Sequence, residues 1–225
     1  MKLAVVYTVT TPQLTAGIDG ELRKNIAGID IDTASYSDAS ILQEACDNNG
    51  LTPSCARRLM DLYEQSVREG ANLILNVCSS VGQVAKLAKP LYELSGTAFI
   101  RIDEAMAFEA VKTASRIGVV ATLPTTLNPT KDLILDCAKA LGKEVLLVDA
   151  LAEGAFGLSP DQFKRKLIET GTKVKDKVDA LLFAQGSMAY AEKDVAEALG
   201  LPTFSSIRFG VRAVADRIRD DLSKA

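Results

Sequence analysis

Short apolar runs alternate along the chain with longer stretches in which apolar residues recur every three or four positions. The first pattern is typical of buried strands and the second of amphipathic helices. The short runs predict strands at about residues 2–9, 29–34, 72–77, 97–101, 116–122, 143–149, 179–184 and 202–205. The helical stretches lie at about 12–27, 53–69, 82–94, 103–114, 126–141, 160–176, 188–199 and 207–222. Regular alternation of strand and helix predicts an α/β fold with parallel sheets.

Two of the predicted helix starts resemble each other. Gly50-Leu51-Thr52-Pro53 and Gly157-Leu158-Ser159-Pro160 each place a hydroxyl residue before a proline, a combination that caps a helix and begins its first turn. They stand 107 residues apart, and the same offset aligns Cys78 with Gln185. This repeat is the first sign that the chain contains two similar halves.

An earlier part of each half matches at a different offset. A shift of 114 residues aligns Val5-Val6-Tyr7-Thr8 with Val119-Val120-Ala121-Thr122. The seven-residue difference predicts a longer loop at about 35–49 in the first half. Tyr36 lies in this loop and is expected to be either a solvated aromatic residue or a residue that closes over substrate.

Two gapless registers that keep strand on strand predict two pseudo-symmetric parallel-sheet lobes, Rossmann-like or flavodoxin-like, that face each other across a cleft. The expected lobes are residues 1–101 with 206–225, which carry Cys78, and residues 102–205, which carry Gln185. The last helix thereby returns to the first lobe. We expect the functional site in the cleft between the lobes.

The segment around Cys78 is the strongest candidate for chemistry. A buried strand at 72–77 is followed by Cys78-Ser79-Ser80, and a helical pattern begins near Gly82. Ligands bind at this edge of open parallel sheets, and a helix N-terminus favours an anion. The sequence therefore predicts an accessible thiol whose pKa lies below that of free cysteine.

Other polar residues fall at equivalent loops of the two halves. Threonines there are candidates for binding a substrate carboxylate: Thr8, Thr11, Thr122 and Thr125. Small residues beside the two aligned positions are candidate oxyanion donors: Ser79, Ser80, Gly186 and Ser187. Strand ends and helix caps favour the same residue types. Asn76, on an otherwise apolar strand, either points into the cleft or has buried partners.

Composition excludes several classes of function. The 225 residues contain no histidine, which excludes histidine-based triads and most catalytic zinc sites, so we expect no metal. The net charge of −3 and the lack of a basic stripe argue against a nucleic-acid partner. Without a long apolar run or a signal peptide, the sequence indicates no membrane partner and a cytoplasmic protein with four free thiols.

Three motifs together resemble the aspartate/glutamate/hydantoin racemase superfamily, which includes maleate isomerases and arylmalonate decarboxylases. They are the strand and turn that end in Cys78-Ser79-Ser80, the segment Ile117–Thr125, and the segment Asp179–Met188 followed by Ala198–Pro202. The resemblance implies two lobes with the active site between them, no cofactor, and a homodimer. It also implies one proton-carrying cysteine at the end of the third strand of each lobe.

Cys78 matches the first of those cysteines, whereas Gln185 stands at the second, and an amide cannot carry a proton at neutral pH. The leading hypothesis is a cofactor-independent racemase or isomerase that acts next to the carboxylate of a small carboxylic acid or amino acid, with Cys78 as thiolate base or nucleophile. A decarboxylase or lyase with one cysteine is the alternative within the superfamily. An intracellular small-molecule binding protein is the alternative from another class.

Overall fold

A computed structural model describes residues 1–155 and 157–224. The first half of the chain forms β1 (Lys2–Tyr7), α1 (Pro12–Asn25), β2 (Asp32–Ser37), α2 (Ala39–Asp47), α3 (Pro53–Arg68), β3 (Leu73–Asn76), α4 (Gly82–Leu94) and β4 (Ala98–Arg101). The second half forms α5 (Glu104–Thr113), β5 (Arg116–Ala121), α6 (Pro124–Ala140), β6 (Leu146–Leu151), α7 (Pro160–Thr172), β7 (Ala180–Phe183), α8 (Glu192–Leu199), β8 (Thr203–Phe204) and α9 (Ser206–Ser223). None of the described helices is long and apolar enough to cross a membrane.

The strands build two separate four-stranded sheets with the same topology. The first has the order β2-β1-β3-β4 and the second the order β6-β5-β7-β8, and all pairings are parallel. Helices cover both faces of each sheet, so successive side chains of a central strand enter different cores. In β1, for example, Leu3 and Val5 pack in one core and Ala4 and Val6 in the other. The predicted α/β fold of two similar parallel-sheet lobes is confirmed.

The two proline-marked helix starts form as the sequence predicts. The hydroxyl oxygen of Thr52 accepts a hydrogen bond from the backbone N–H of Cys55, 3.1 Å away, and α3 begins at the next residue, Pro53. Ser159 and Gln162 form a capping box at the start of α7. In both cases a side chain satisfies a backbone group that the first turn leaves free.

The last helix, α9, packs against α1 and the core of the first sheet. Its buried residues Ile207, Val211 and Val214 join the cluster that contains Leu3 and Ile18. The same helix also contacts α5, and Phe209 packs against the core of the second sheet. The assignment of residues 1–101 with 206–225 and of 102–205 to separate lobes stays a prediction.

Several predicted elements differ from the observed ones in the first half. The predicted long loop at 35–49 is wrong, because it contains α2, which begins after the capping side chain of Asp38. Tyr36 is a buried residue of β2, and its hydroxyl donates to Glu69 at 2.8 Å. The strand predicted at 29–34 begins later, at Asp32, because this edge strand has a polar sequence that gives little apolar signal.

Candidate active site between the two sheets

A pocket of about 60 Å³ lies between the carboxyl ends of the two sheets. Its described lining consists of Thr8, Val9, Leu14, Leu42, Val77, Cys78, Ser79, Ser80, Leu123, Thr126, Gln185, Gly186 and Ser187. Both halves of the chain contribute, and the loops after β1, β3, β5 and β7 all reach it. This is the edge of a parallel sheet where ligands bind.

Cys78 is half-buried in this pocket, two residues after the end of β3 and directly before the helical turn Ser79–Val81 that leads into α4. Burial raises the pKa of its thiol above the ordinary value. The hydroxyls of Thr8 and Ser80 and the backbone N–H groups of Ser80 and Val81 act in the opposite direction, because they stabilise the thiolate, but burial outweighs them. The predicted lowering of the Cys78 pKa is therefore wrong in direction.

Two buried hydroxyls beside Cys78 form no hydrogen bond of ordinary geometry among the described residues, although that of Thr8 lies near enough to the thiol to favour the thiolate. Thr8 is 1% exposed and Ser79 is 4% exposed, and the Oγ atoms of both are unpaired. A buried hydroxyl without a partner costs stability, so such atoms usually have a role. Both side chains line the pocket, where a bound oxygen would supply the missing hydrogen bond.

Gln185 occupies the position equivalent to Cys78, two residues after the end of β7 and directly before the helical turn Gly186–Ala191. Its side-chain oxygen accepts a hydrogen bond from the backbone N–H of Thr122 at 2.9 Å. Its side-chain nitrogen donates to the Thr122 hydroxyl at 2.5 Å. Both polar ends of the amide are thus fixed by one residue, so Gln185 presents an oriented group that carries no transferable proton.

Asn76 is 1% exposed and has buried partners instead of facing the pocket. Its side-chain oxygen accepts from the hydroxyl of Tyr63 at 2.8 Å, and its side-chain nitrogen donates to the backbone oxygen of Cys78 at 3.2 Å. The residue therefore holds the backbone that carries the thiol. Asn76 does not line the pocket, and its role as a substrate contact stays a prediction.

The structure separates the other candidates into two groups. Ser80, Gly186 and Ser187 line the pocket. Thr11 instead caps α1, where its hydroxyl accepts from the backbone N–H of Leu14 at 3.2 Å. Thr125 lies outside the pocket lining and faces Cys46, with 4.0 Å between Sγ and Oγ1.

Sequence reasoning missed Thr126 and the apolar wall of the pocket. Thr126 is 1% exposed, and its hydroxyl lies 2.9 Å from that of Ser80, which joins the two halves at the pocket floor. The apolar wall consists of Val9, Leu14, Leu42, Val77 and Leu123. Leu42 belongs to α2, which lies in the segment that was predicted to be a loop. The three-to-four-residue spacing of Ile41 and Ala45 in that segment was the available signal.

Charged side chains are absent from the described lining of the pocket. Arg101, a buried cation at the end of β4, is paired with Asp103 through two hydrogen bonds of 3.1 Å and 3.0 Å. Among residues 1–155 and 157–224 there is also no group of three or more side chains suited to hold a metal ion. Cys78 is thus the one ionisable side chain in the described lining of the pocket.

The chain matches a protein family over most of its length. The family model described as Asp/Glu/Hydantoin racemase covers residues 4–214. A search of curated proteins found no significant match.

Solved structures of similar fold include allantoin racemase from Klebsiella pneumoniae, with a TM-score of 0.67 and 18% identity over 98% of this chain and 89% of that one. Glutamate racemase isoform RacE1 from Bacillus anthracis has a TM-score of 0.70 and 12% identity, covering 97% of this chain and 82% of that one. Unliganded arylmalonate decarboxylase has a TM-score of 0.59 and 13% identity, covering 96% and 91%. At these identities the likeness shows a shared fold.

Proposed function

The chain belongs to the Asp/Glu/hydantoin racemase family and is an enzyme of the racemase type; from this premise we propose that it moves one proton at the carbon next to the carboxylate of a small acid, without a cofactor. Cys78 is the proton carrier in this proposal. The proposal is supported by the composition of the pocket, because Cys78 is the only proton carrier in its described lining. The equivalent position in the other half of the chain is occupied by Gln185.

The substrate carboxylate binds through hydroxyls and backbone N–H groups. The unpaired oxygens of Thr8 and Ser79 lie in the pocket beside Cys78 and can donate to a carboxylate or enediolate oxygen. The helical turns that begin at Ser79 and Gly186 both start at the pocket, where their first N–H groups and dipoles favour negative charge. In this proposal, these groups stabilise the enediolate that forms when the α-carbon loses a proton or CO2.

In a racemase-type reaction at this site, the proton is removed from and returned to the same face of the α-carbon. The Cys78 thiolate removes the α-proton, the electron pair of the C–H bond enters the enediolate, and the thiol returns a proton to the same face. Inversion requires a proton from the opposite face, and the amide of Gln185 cannot supply one. We therefore expect α-hydrogen exchange with retention of configuration.

Decarboxylation is the second candidate, and the raised pKa of Cys78 favours it. A thiol that is protonated at neutral pH is suited to donate. The C–C bond to the leaving carboxylate breaks, CO2 departs, and its bonding electrons form the enediolate. The Cys78 thiol then protonates the carbon, and solvent restores the proton to the thiolate. A single acid, the Cys78 thiol, is sufficient for this reaction.

A comparison of cysteine variants tests the proposal. Wild type should incorporate deuterium from D2O at the α-carbon of a small carboxylic acid, or release CO2 from the corresponding malonate, as followed by NMR. Cys78→Ala should abolish both reactions. Cys46→Ala is the matched control, because Cys46 is also half-buried but lies outside the pocket lining. Turnover that survives in Cys78→Ala, or binding of acids without any turnover in wild type, would contradict the proposal.

A further inference from the structure

The pocket around Cys78 has a polar side and an apolar side. Hydroxyls from Thr8 and Ser79 lie near the thiol, whereas Leu14, Leu42 and Leu123 form much of the remaining wall. One carboxylate therefore finds hydrogen-bond donors in the described lining, and much of the rest of the wall offers apolar contact to the other substituents of a bound acid.

A positive charge has no counter-charge in this pocket. The described lining contains no aspartate or glutamate, and the side-chain oxygen of Gln185, which is neutral, already accepts one hydrogen bond from the N–H of Thr122. The acidic residue Asp103 is paired with Arg101 outside the lining. Burying an ammonium group without a partner is strongly unfavourable.

The small volume of the pocket favours small substituents on the bound acid. At about 60 Å³ it is well below the roughly 150 Å³ of an engineered apolar cavity that binds benzene. The substituents beside the carboxylate are thus expected to be short and aliphatic rather than aromatic.

We propose that this site selects a small monocarboxylate with apolar substituents at the α-carbon and rejects α-amino acids. The inference rests on the proposed function, since it takes the pocket at Cys78 as the place where the reacting acid binds. In the bound state the carboxylate contacts Thr8 and Ser79, and the α-substituent packs against Leu42 and Leu123. Leu42 is then a specificity-determining residue supplied by α2.

A matched pair of ligands tests the proposal directly. Isobutyrate and alanine have the same size, because a methyl group in the first replaces the ammonium group in the second. NMR titration of wild type should give a dissociation constant for isobutyrate at least about tenfold lower than for either enantiomer of alanine. Equal or tighter binding of alanine, or no binding of isobutyrate, would overturn the inference.

A charge placed in the wall gives the second measurement. Leu42→Asp supplies a carboxylate that can pair with an ammonium group, so it should narrow the preference for isobutyrate over alanine by about tenfold. Leu42→Asn has nearly the same shape without the charge and should leave the ratio of the two dissociation constants close to that of wild type. Equal ratios in both variants would contradict the role of Leu42.

Binding and turnover separate this inference from the proposed function. If isobutyrate binds in preference to alanine, but its α-hydrogen does not exchange with D2O and dimethylmalonate releases no CO2, the specificity stands and the proposed function fails. If both alanine and isobutyrate exchange their α-hydrogens with similar dissociation constants, proton transfer stands and the specificity inference fails.

Discussion

At the scale of single residues, the chemistry of Cys78 depends on what surrounds it. The sequence places the thiol at a helix start and so predicts a lowered pKa. The structure adds the walls of both sheets, and their burial of the Cys78 thiol raises its pKa above the ordinary value of a cysteine. Burial comes from residues distant in the chain, such as Leu123 and Thr126, so the local sequence cannot report it.

The pH dependence of alkylation tests this environment. Only the thiolate reacts, so the alkylation rate of Cys78 should stay low near neutral pH and rise up to a pKa above that of an ordinary cysteine. Thr8→Val removes a hydroxyl that stabilises the thiolate and should move the midpoint to still higher pH. Thr125→Val, outside the pocket lining, should not move it. A rate profile with its midpoint below about pH 8.5 would refute the raised pKa.

The buried pair of Tyr63 and Asn76 predicts a specific pattern of stability. Asn76→Leu removes the bond to the Cys78 backbone and leaves the Tyr63 hydroxyl unpaired, which should lower the free energy of unfolding by about 1–3 kcal/mol. Adding Tyr63→Phe removes the unpaired hydroxyl, so the double variant should be no less stable than Asn76→Leu alone. Urea unfolding of both variants measures this. If the double variant loses the sum of what Asn76→Leu and Tyr63→Phe each lose in free energy of unfolding, the two residues are not coupled.

At the scale of elements, the sequence was most informative where a turn residue marked a boundary. Thr52-Pro53 and Ser159-Pro160 predicted the starts of α3 and α7. The edge strands β2 and β6 begin about three residues later than predicted. β2 has a polar sequence without a clear period, and the prediction for β6 included the polar residues Lys143 and Glu144, which precede the strand. The helix α2 was missed because it lies in an insertion that has no counterpart in the second half.

Helix α2 is held in place by Arg58 of α3. The guanidinium group pairs with Asp38 at 3.1 Å and also with Glu44, at the two ends of the helix. Since all three side chains are partly exposed, solvent screening keeps the contribution of the pairs to stability small.

Loss of these pairs should loosen α2 selectively. Arg58→Met is expected to raise hydrogen exchange in residues 39–47 and to weaken ligand binding, because Leu42 lines the pocket. Arg57→Met is the control, since Arg57 is exposed and forms no ion pair within the described structure. Hydrogen-exchange mass spectrometry compares the two variants. Unchanged exchange in Arg58→Met would show that packing alone holds the helix.

At the scale of the whole molecule, the duplication predicted the architecture. Cys78 and Gln185 both follow the third strand of their sheets, and the two sheets share one strand order. The pairing of Gln185 with Thr122 and the apolar wall were not predictable, because they depend on how side chains from different loops meet.

The return of α9 to the first half depends on a close contact at Gly210. A side chain there would lie 2.5 Å from the backbone oxygen of Ile102, so Gly210→Ala should destabilise the protein by about 1–3 kcal/mol. Gly20→Ala in α1 is the control, since nothing lies within 4 Å of a Cβ at that position and alanine favours the helix. Thermal unfolding should place the two variants on opposite sides of wild type. A Gly210→Ala protein as stable as wild type would show that the contact relaxes freely.

The most direct test of the central claim is the ratio of α-hydrogen exchange to inversion for one enantiomer of a small apolar acid, such as 2-methylbutanoate, in D2O. With Cys78 as the only proton carrier, wild type should incorporate deuterium at least about tenfold faster than it inverts the α-carbon. Gln185→Cys restores a thiol on the opposite side and should raise inversion relative to exchange. NMR and chiral chromatography of the same reaction give both rates. Inversion as fast as exchange in wild type would contradict the single-carrier account.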